Sequence, residues 1–151
     1  MTNLGKMFLI LCLLAFGGGV VANAQIAPNA VIQANVPFAF AVSNTTLPAG
    51  NYEIRRLDDN APNVLVIRSA NGHTSVVFET EGAQLPADQA ARTTELAFDK
   101  VGDRYFLSQV WVAGDSSGSE LPKSRMEKRL VDGGRQSQRH SIVAVLKRMK
   151  P

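Results

Sequence analysis

Apolar and polar residues alternate with period two along most of this chain, and that periodicity predicts β-strands with one buried face. Val36, Phe38, Phe40 and Val42 alternate with Asn35, Pro37, Ala39 and Ala41. Proline donates no ladder hydrogen bond, so this first strand is expected at a sheet edge or with a bulge near its start. Leu47-Pro48-Ala49-Gly50 reads as a turn, and residues 51–57 then form a second strand with Tyr52 and Ile54 on one face. Residues 64–69 and 74–79 flank Asn71-Gly72, a pair suited to a tight type I′ hairpin, and threading that turn sets Leu65 against Phe78 and Ile67 against Val76. After a polar, alanine-rich connection over residues 82–93, residues 95–101 and 104–113 are joined by Gly102-Asp103, which fits a type II′ turn. That register places Phe98 opposite Leu107 and Lys100 opposite Tyr105. The second strand of this pair is apolar on both sides, with Tyr105, Leu107 and Trp111 on one and Phe106, Val110 and Val112 on the other, which predicts a central strand covered on both faces.

Residues 114–119 read as a flexible link, and the period changes beyond it. Ser124-Arg125-Met126-Glu127 has the spacing of a capping box, in which the serine oxygen and the glutamate carboxylate each satisfy a backbone donor at a helix start. A short helix is expected to about Val131, with Met126 and Leu130 as its apolar stripe and a stop at Gly133-Gly134. Residues 141–146 suit a closing strand; residues 142–149 suit a short helix equally, and the strand is preferred. The expected fold is therefore all-β and mainly antiparallel, a β-sandwich or small barrel of six or seven strands with one short C-terminal helix.

The beginning of the chain follows different rules. Lys6 precedes a run of apolar residues over 7–16, broken only by the thiol of Cys12, and Gly17-Gly18-Gly19 then leads to Ala22-Asn23-Ala24. A charged start, an apolar stretch too short to span a bilayer and a small-x-small tripeptide make a secretory signal peptide over residues 1–24, cleaved between Ala24 and Gln25. The mature chain would then comprise a lead-in over residues 25–33 and a single domain over 34–151, long enough to bury a core unaided. Cys12 is the sole cysteine and leaves with the leader, so disulfides, thiolate metal sites and thiol catalysis are not expected.

Val36-Pro37-Phe38-Ala39-Phe40, Leu47-Pro48-Ala49-Gly50-Asn51-Tyr52, Gly102-Asp103-Arg104-Tyr105-Phe106-Leu107-Ser108 with Trp111, and Leu121-Pro122-Lys123-Ser124 with Glu127 together resemble a group of small exported bacterial proteins of unknown function. The resemblance spans most of the mature chain. It implies a shared β-rich fold and export, and it brings no activity, ligand or catalytic residue.

Candidate chemistry is sparse. Gly114-Asp115-Ser116-Ser117-Gly118 matches the G-x-S-x-G pattern of a nucleophile elbow, with Asp132 and His140 following in the serine, acid, histidine order of α/β-hydrolases. That motif needs a strand before it and a helix directly after it, whereas Leu121-Pro122 intervenes here. His73 and His140 are too far apart in sequence to suggest a metal cluster, and Asp58, Asp59 and Asn60 read as turn formers before Pro62 in preference to calcium ligands. No metal site, cofactor or phosphate-binding loop is expected.

Charge layout says more. Residues 25–121 carry 6 Lys and Arg against 11 Asp and Glu, net −5, whereas residues 122–151 carry 9 against 2, net +7. Lys123, Arg125, Lys128, Arg129, Arg135, Arg139, Lys147, Arg148 and Lys150 thus form a basic C-terminal segment suited to anionic lipid, a cell-surface polymer or an acidic protein partner. Otherwise the segment lies across the acidic β domain of its own chain or is simply solvated. Nucleic acid is not expected, because export removes the chain from it and no aromatics interleave the basic residues. The leading functional reading is an exported, non-catalytic envelope or extracellular interaction module, periplasmic or secreted. A carrier of a small apolar ligand inside a hollow barrel is the alternative, and a serine esterase-like hydrolase using Ser116 is the third. N-terminal sequencing of the protein recovered from its native host is expected to begin at Gln25; a start at Met1 or Thr2 overturns the export reading.

Overall fold

The computed structural model describes residues 26–150, so the leader expected over 1–24 and the cleavage point before Gln25 lie outside the described residues. The first strands are β1 (Ala30–Val36), β2 (Phe40–Val42), β3 (Thr45–Leu47), β4 (Gly50–Asp58), β5 (Ala61–Ser69) and β6 (Ser75–Glu79). They are followed by β7 (Glu81–Gln84), β8 (Glu95–Val101), β9 (Arg104–Trp111) and β10 (Ser117–Glu120). The helix α1 (Arg125–Asp132) precedes the final pair, β11 (Ser137–Val143) and β12 (Val145–Arg148). One sheet has five strands in the order β12-β1-β4-β5-β6; the other has seven, ordered β11-β8-β9-β10-β7, with β2 beside β9 and β3 beside β2. All pairings are antiparallel except the short parallel contact of β2 with β9. The arrangement is an all-β sandwich; neither sheet closes on itself into a barrel.

Four connections carry the chain from one sheet to the other, one of them the Pro48-Ala49 turn between β3 and β4. Pro37, lacking an N–H, ends the β1–β4 ladder after Val36 pairs with Gly50, and the chain re-enters the second sheet at Phe40. Thr80 separates β6 from β7, and both its N–H and its hydroxyl donate to the carbonyl of Asn63, at 2.9 and 3.0 Å. Ala144 separates β11 from β12, with its N–H donating to Thr94 O at 2.8 Å. The bends at Thr80 and Ala144 join an edge of the first sheet to an edge of the second, one on each side of the sandwich.

The core fills the space between the sheets. Ile32, Val36, Ile54, Leu65 and Ile67 meet Phe40, Leu96, Phe98, Leu107 and Val110, all buried. Phe40 lies edge-on to Tyr52 and to Phe98, with centroids 5.1 and 5.4 Å apart. On the far side of the seven-stranded sheet, Leu130 of α1 packs on Ala41, Val101 and Phe106. Strand β9 is thus covered on both faces, as predicted, but its residues sort differently: a bulge at Ser108 puts Leu107 and Val110 together in the core, where strict alternation set them on opposite sides.

Both hairpin registers are as predicted: Leu65 with Phe78, Ile67 with Val76, Phe98 with Leu107 and Lys100 with Tyr105. Gly102 alone takes a positive φ (63°) in its turn, the pattern of a type II′ connection. The Asn71-Gly72 turn is wider than a type I′ turn. Asn71 does not enter the left-handed region; its Oδ1 accepts from the Ser69 hydroxyl and the His73 N–H instead, holding a four-residue loop closed by Ser69 and Thr74. The other differences come from pairing between distant segments. The expected lead-in over 25–33 supplies the start of β1, which lies inside its sheet between β12 and β4. The expected connection over 82–93 and link over 114–119 yield β7 and most of β10, which pair with each other. Among the described residues twelve strands replace the six or seven expected, because the bends split long strands and these short ones complete the second sheet.

Gly118 faces the indole of Trp111, where a Cβ would sit 2.7 Å from the ring and 2.8 Å from the Val110 carbonyl. The backbone oxygen cannot swing aside, so Gly118→Ala is expected to destabilise the fold by about 1–3 kcal/mol. Urea unfolding followed by Trp111 fluorescence measures this; an unchanged midpoint contradicts the packing.

Candidate functional site

The sequence-predicted capping box forms. Ser124 Oγ accepts from the Glu127 N–H at 3.1 Å, and the Glu127 carboxylate accepts from the Ser124 backbone. The same carboxylate is buried beneath α1 at 4% exposure, and its Oε1 has no hydrogen-bond partner. It faces Asp99 of β8, with which it shares a hydrogen bond, and Lys123 Nζ stands 4.0 Å away. Burial and the Asp99 charge together push its pKa up to about 7. The box was legible in the sequence; the facing acid was not, because Asp99 arrives from a strand 28 positions earlier.

The basic segment is part of the fold. Arg125, Lys128 and Arg129 are exposed on α1, Arg135 follows the helix, Arg139 lies on β11, Lys147 and Arg148 lie on β12, and Lys150 follows it. The segment therefore spans both sheets and the helix instead of forming one continuous stripe. Lys123 pairs with Glu127 and Arg139 with Glu95, each at 4.0 Å; these are the only ion pairs among the described residues.

Ser116, Asp132 and His140 are not brought together. Ser116 precedes β10 and His140 lies on β11, and β8 and β9 separate those strands, which is three spacings or roughly 14 Å across the sheet. His140 is turned instead toward Phe38 and Tyr105, with ring centroids 5.4 and 5.7 Å away. Asp132 ends α1 in solvent. Asp58 accepts from the Asn60 N–H at 2.7 Å and so shapes the β4–β5 turn, and His73 belongs to the loop after β5. No group of three potential metal ligands occurs among the described residues.

A set of side chains that the sequence does not group converges where β8 turns into β9. Tyr105 stacks on Phe38 with centroids 3.8 Å apart and planes 16° from parallel. Lys100 Nζ lies 5.4 Å from the Tyr105 centroid, within cation–π range. Lys100 also pairs with Gln138 of β11, and Lys100, Gly102, Arg135, Gln136 and Gln138 line an open groove of about 270 Å³. Among the described residues neither Lys100 nor Arg135 has a carboxylate within 4.0 Å. The Lys100–Tyr105 pairing follows from the hairpin; Gln138 and Arg135 join it only through the start of β11, where residues 137–140 are polar and carry no strand signal.

The chain matches no family model, no curated protein and no solved structure.

The Glu127 carboxyl yields a pH dependence of definite sign. Its folded pKa of about 7 lies above its ordinary value of 4.5, so the folded state holds this proton more tightly than the unfolded chain. The resulting stability is complete below about pH 4.5 and is lost as pH rises through 7, amounting to about 3 kcal/mol at most. Thermal unfolding between pH 5 and 8 is expected to show a falling midpoint, and Glu127→Gln is expected to flatten that fall. An equal slope in the variant assigns the pH dependence elsewhere.

Proposed function

We propose that this chain is an exported, non-catalytic interaction module that engages anionic material outside the cytoplasm through its C-terminal basic segment. The observation that carries this reading is the state of the nine cations at positions 123–150. All nine are solvent-exposed, seven lack a carboxylate partner among the described residues, and six stand on α1, β11 and β12, the two strands being paired one into each sheet. Folding the segment onto the domain therefore leaves most of its charge available, whereas a segment held only by its own acidic half would be neutralised. Fixed cations on ordered elements raise the local concentration of anions and cost little side-chain ordering beyond their own rotamers. The resemblance to small exported bacterial proteins agrees with the compartment.

Removing everything after Leu121 is not a usable test, because it deletes α1 and a strand from each sheet. Surface substitutions are. The processed protein is expected to co-sediment with anionic material, whether phosphatidylglycerol vesicles or an immobilised polyuronate, more strongly than with phosphatidylcholine vesicles or a neutral glycan, and to release it as salt is raised. Arg125→Gln, Lys128→Gln and Arg129→Gln together are expected to weaken that binding by about 1 kcal/mol per charge. Retention that is indifferent to both salt and these substitutions overturns the reading.

A further inference from the structure

We infer that the groove at the β8–β9 turn is a binding site for one carboxylate-bearing sugar unit of an acidic glycan. The inference rests on the proposed anion-binding function and gives it a location and a ligand class.

Four features of the groove point there. Its two cations are positioned before any ligand arrives. Lys100 extends over the Tyr105 ring, Tyr105 is stacked on Phe38, and Phe38 is in turn edge-on to buried Phe98 at 5.2 Å, so the ammonium rests on a layer anchored in the core. Arg135 lies across the turn itself: a Cβ on Gly102 would come within 2.7 Å of its guanidinium nitrogen, so the absent side chain is what leaves the guanidinium room. Both cations are without a carboxylate partner among the described residues, and a carboxylate supplied by a ligand would meet Arg135 through two parallel N–H donors.

The remaining lining is Gln136 and Gln138. Carboxamides both donate and accept, which matches the hydroxyl groups of a sugar ring, whereas a lipid would call for apolar side chains along its tails and none of the groove's five residues carries one. At about 270 Å³ it falls just below the usual range of small-molecule sites, which begins near 300 Å³, so it suits a single ring. It is open at the surface, so a polymer can continue past it. Lys100 belongs to the acidic part of the chain and stands outside the basic segment, so it separates this site from general attraction to positive charge.

The test is titration of the processed protein with a defined oligogalacturonate, followed by amide chemical shifts and calorimetry, beside its methyl-esterified form and phosphatidylglycerol vesicles. Saturable binding of the free acid, with shifts centred on residues 100–105 and 135–140 and none from the neutral ester, is expected. Lys100→Gln combined with Arg135→Gln is expected to weaken binding at least tenfold, and Gln138→Glu, an exposed change on an edge strand, to do the same if the double variant unfolds. Arg68→Gln with Arg92→Gln, exposed cations outside both the groove and the basic segment, is expected to leave it within twofold. Equal weakening by the two pairs overturns the groove and leaves the broader anion-binding reading standing. Binding to vesicles without uptake of the oligomer overturns the sugar assignment alone, and binding to neither overturns both.

Discussion

Backbone hydrogen bonding at the bends between the sheets is the constraint on which the rest of this structure depends. A strand that leaves one sheet for another must satisfy the donors and acceptors freed at the crossing, since unpaired buried backbone groups are costly. At Thr80 the carbonyl of Asn63 receives both the backbone and the side-chain donor; at Ala144 the carbonyl of Thr94 receives the N–H. With those donors satisfied, β6 continues into β7 and β11 into β12, and the two sheets are tied at both sides by covalent chain. The core residues between them are then held against one another from two edges, and a change at either bend acts on both sheets at once.

This explains why the basic segment is at once structural and exposed. Strand β12 completes the first sheet beside β1, and β11 forms seven residue pairs with β8, so the segment cannot detach without opening an edge of each sheet. Both are edge strands, and all seven residues of β11 except Ile142 are exposed. Arg139, Lys147 and Arg148 on such strands discourage edge-to-edge pairing between copies, a common role for charge on open edges. That role and ligand binding do not compete: a cation that repels another copy's edge remains free to meet a soluble anion. The aromatic layer formed by Phe38, Tyr105 and His140 supplies the ring over which Lys100 extends.

Local signals were legible in the sequence to the extent that their partners were close by. The pairings of Leu65 with Phe78 and Lys100 with Tyr105 follow from turns of a few residues, and the start of α1 follows from Ser124 and Glu127, three positions apart. Strand β1 was missed because Ala30, Ala34 and Gln33 give little contrast between faces; its order comes from β4 and β12, and the latter lies more than a hundred positions away. Strand β11 was seen only at its apolar end, since Ser137 to His140 are polar and are held by the β8 ladder. The groove combines both cases. Lys100 and Tyr105 could be placed together from the hairpin, whereas Arg135 and Gln138 could not be placed without β11. Burial of Glu127 is of the same kind: a cap is a local device, but the low-dielectric setting that raises its pKa is supplied by β8.

The run from Gly114 to Gly118 shows how a catalytic pattern acquires a different cause once packing is known. Gly118 is the residue that lets the Trp111 indole lie against β10, because any side chain there would meet both the ring and the Val110 carbonyl. Gly114 sits in the turn that reverses the chain after β9, where its N–H donates to Ala91 O, and Ser116 offers its carbonyl to Leu85 N–H at the start of the β10–β7 pairing. Each position in the pattern thus has a backbone or packing reason that requires no reacting group. The strand that follows pairs with β7 and β9 where a nucleophile elbow would begin a helix. The spacing of the pattern is set by the distance from the turn to the residue under Trp111, and the same spacing would be needed whatever occupied position 116.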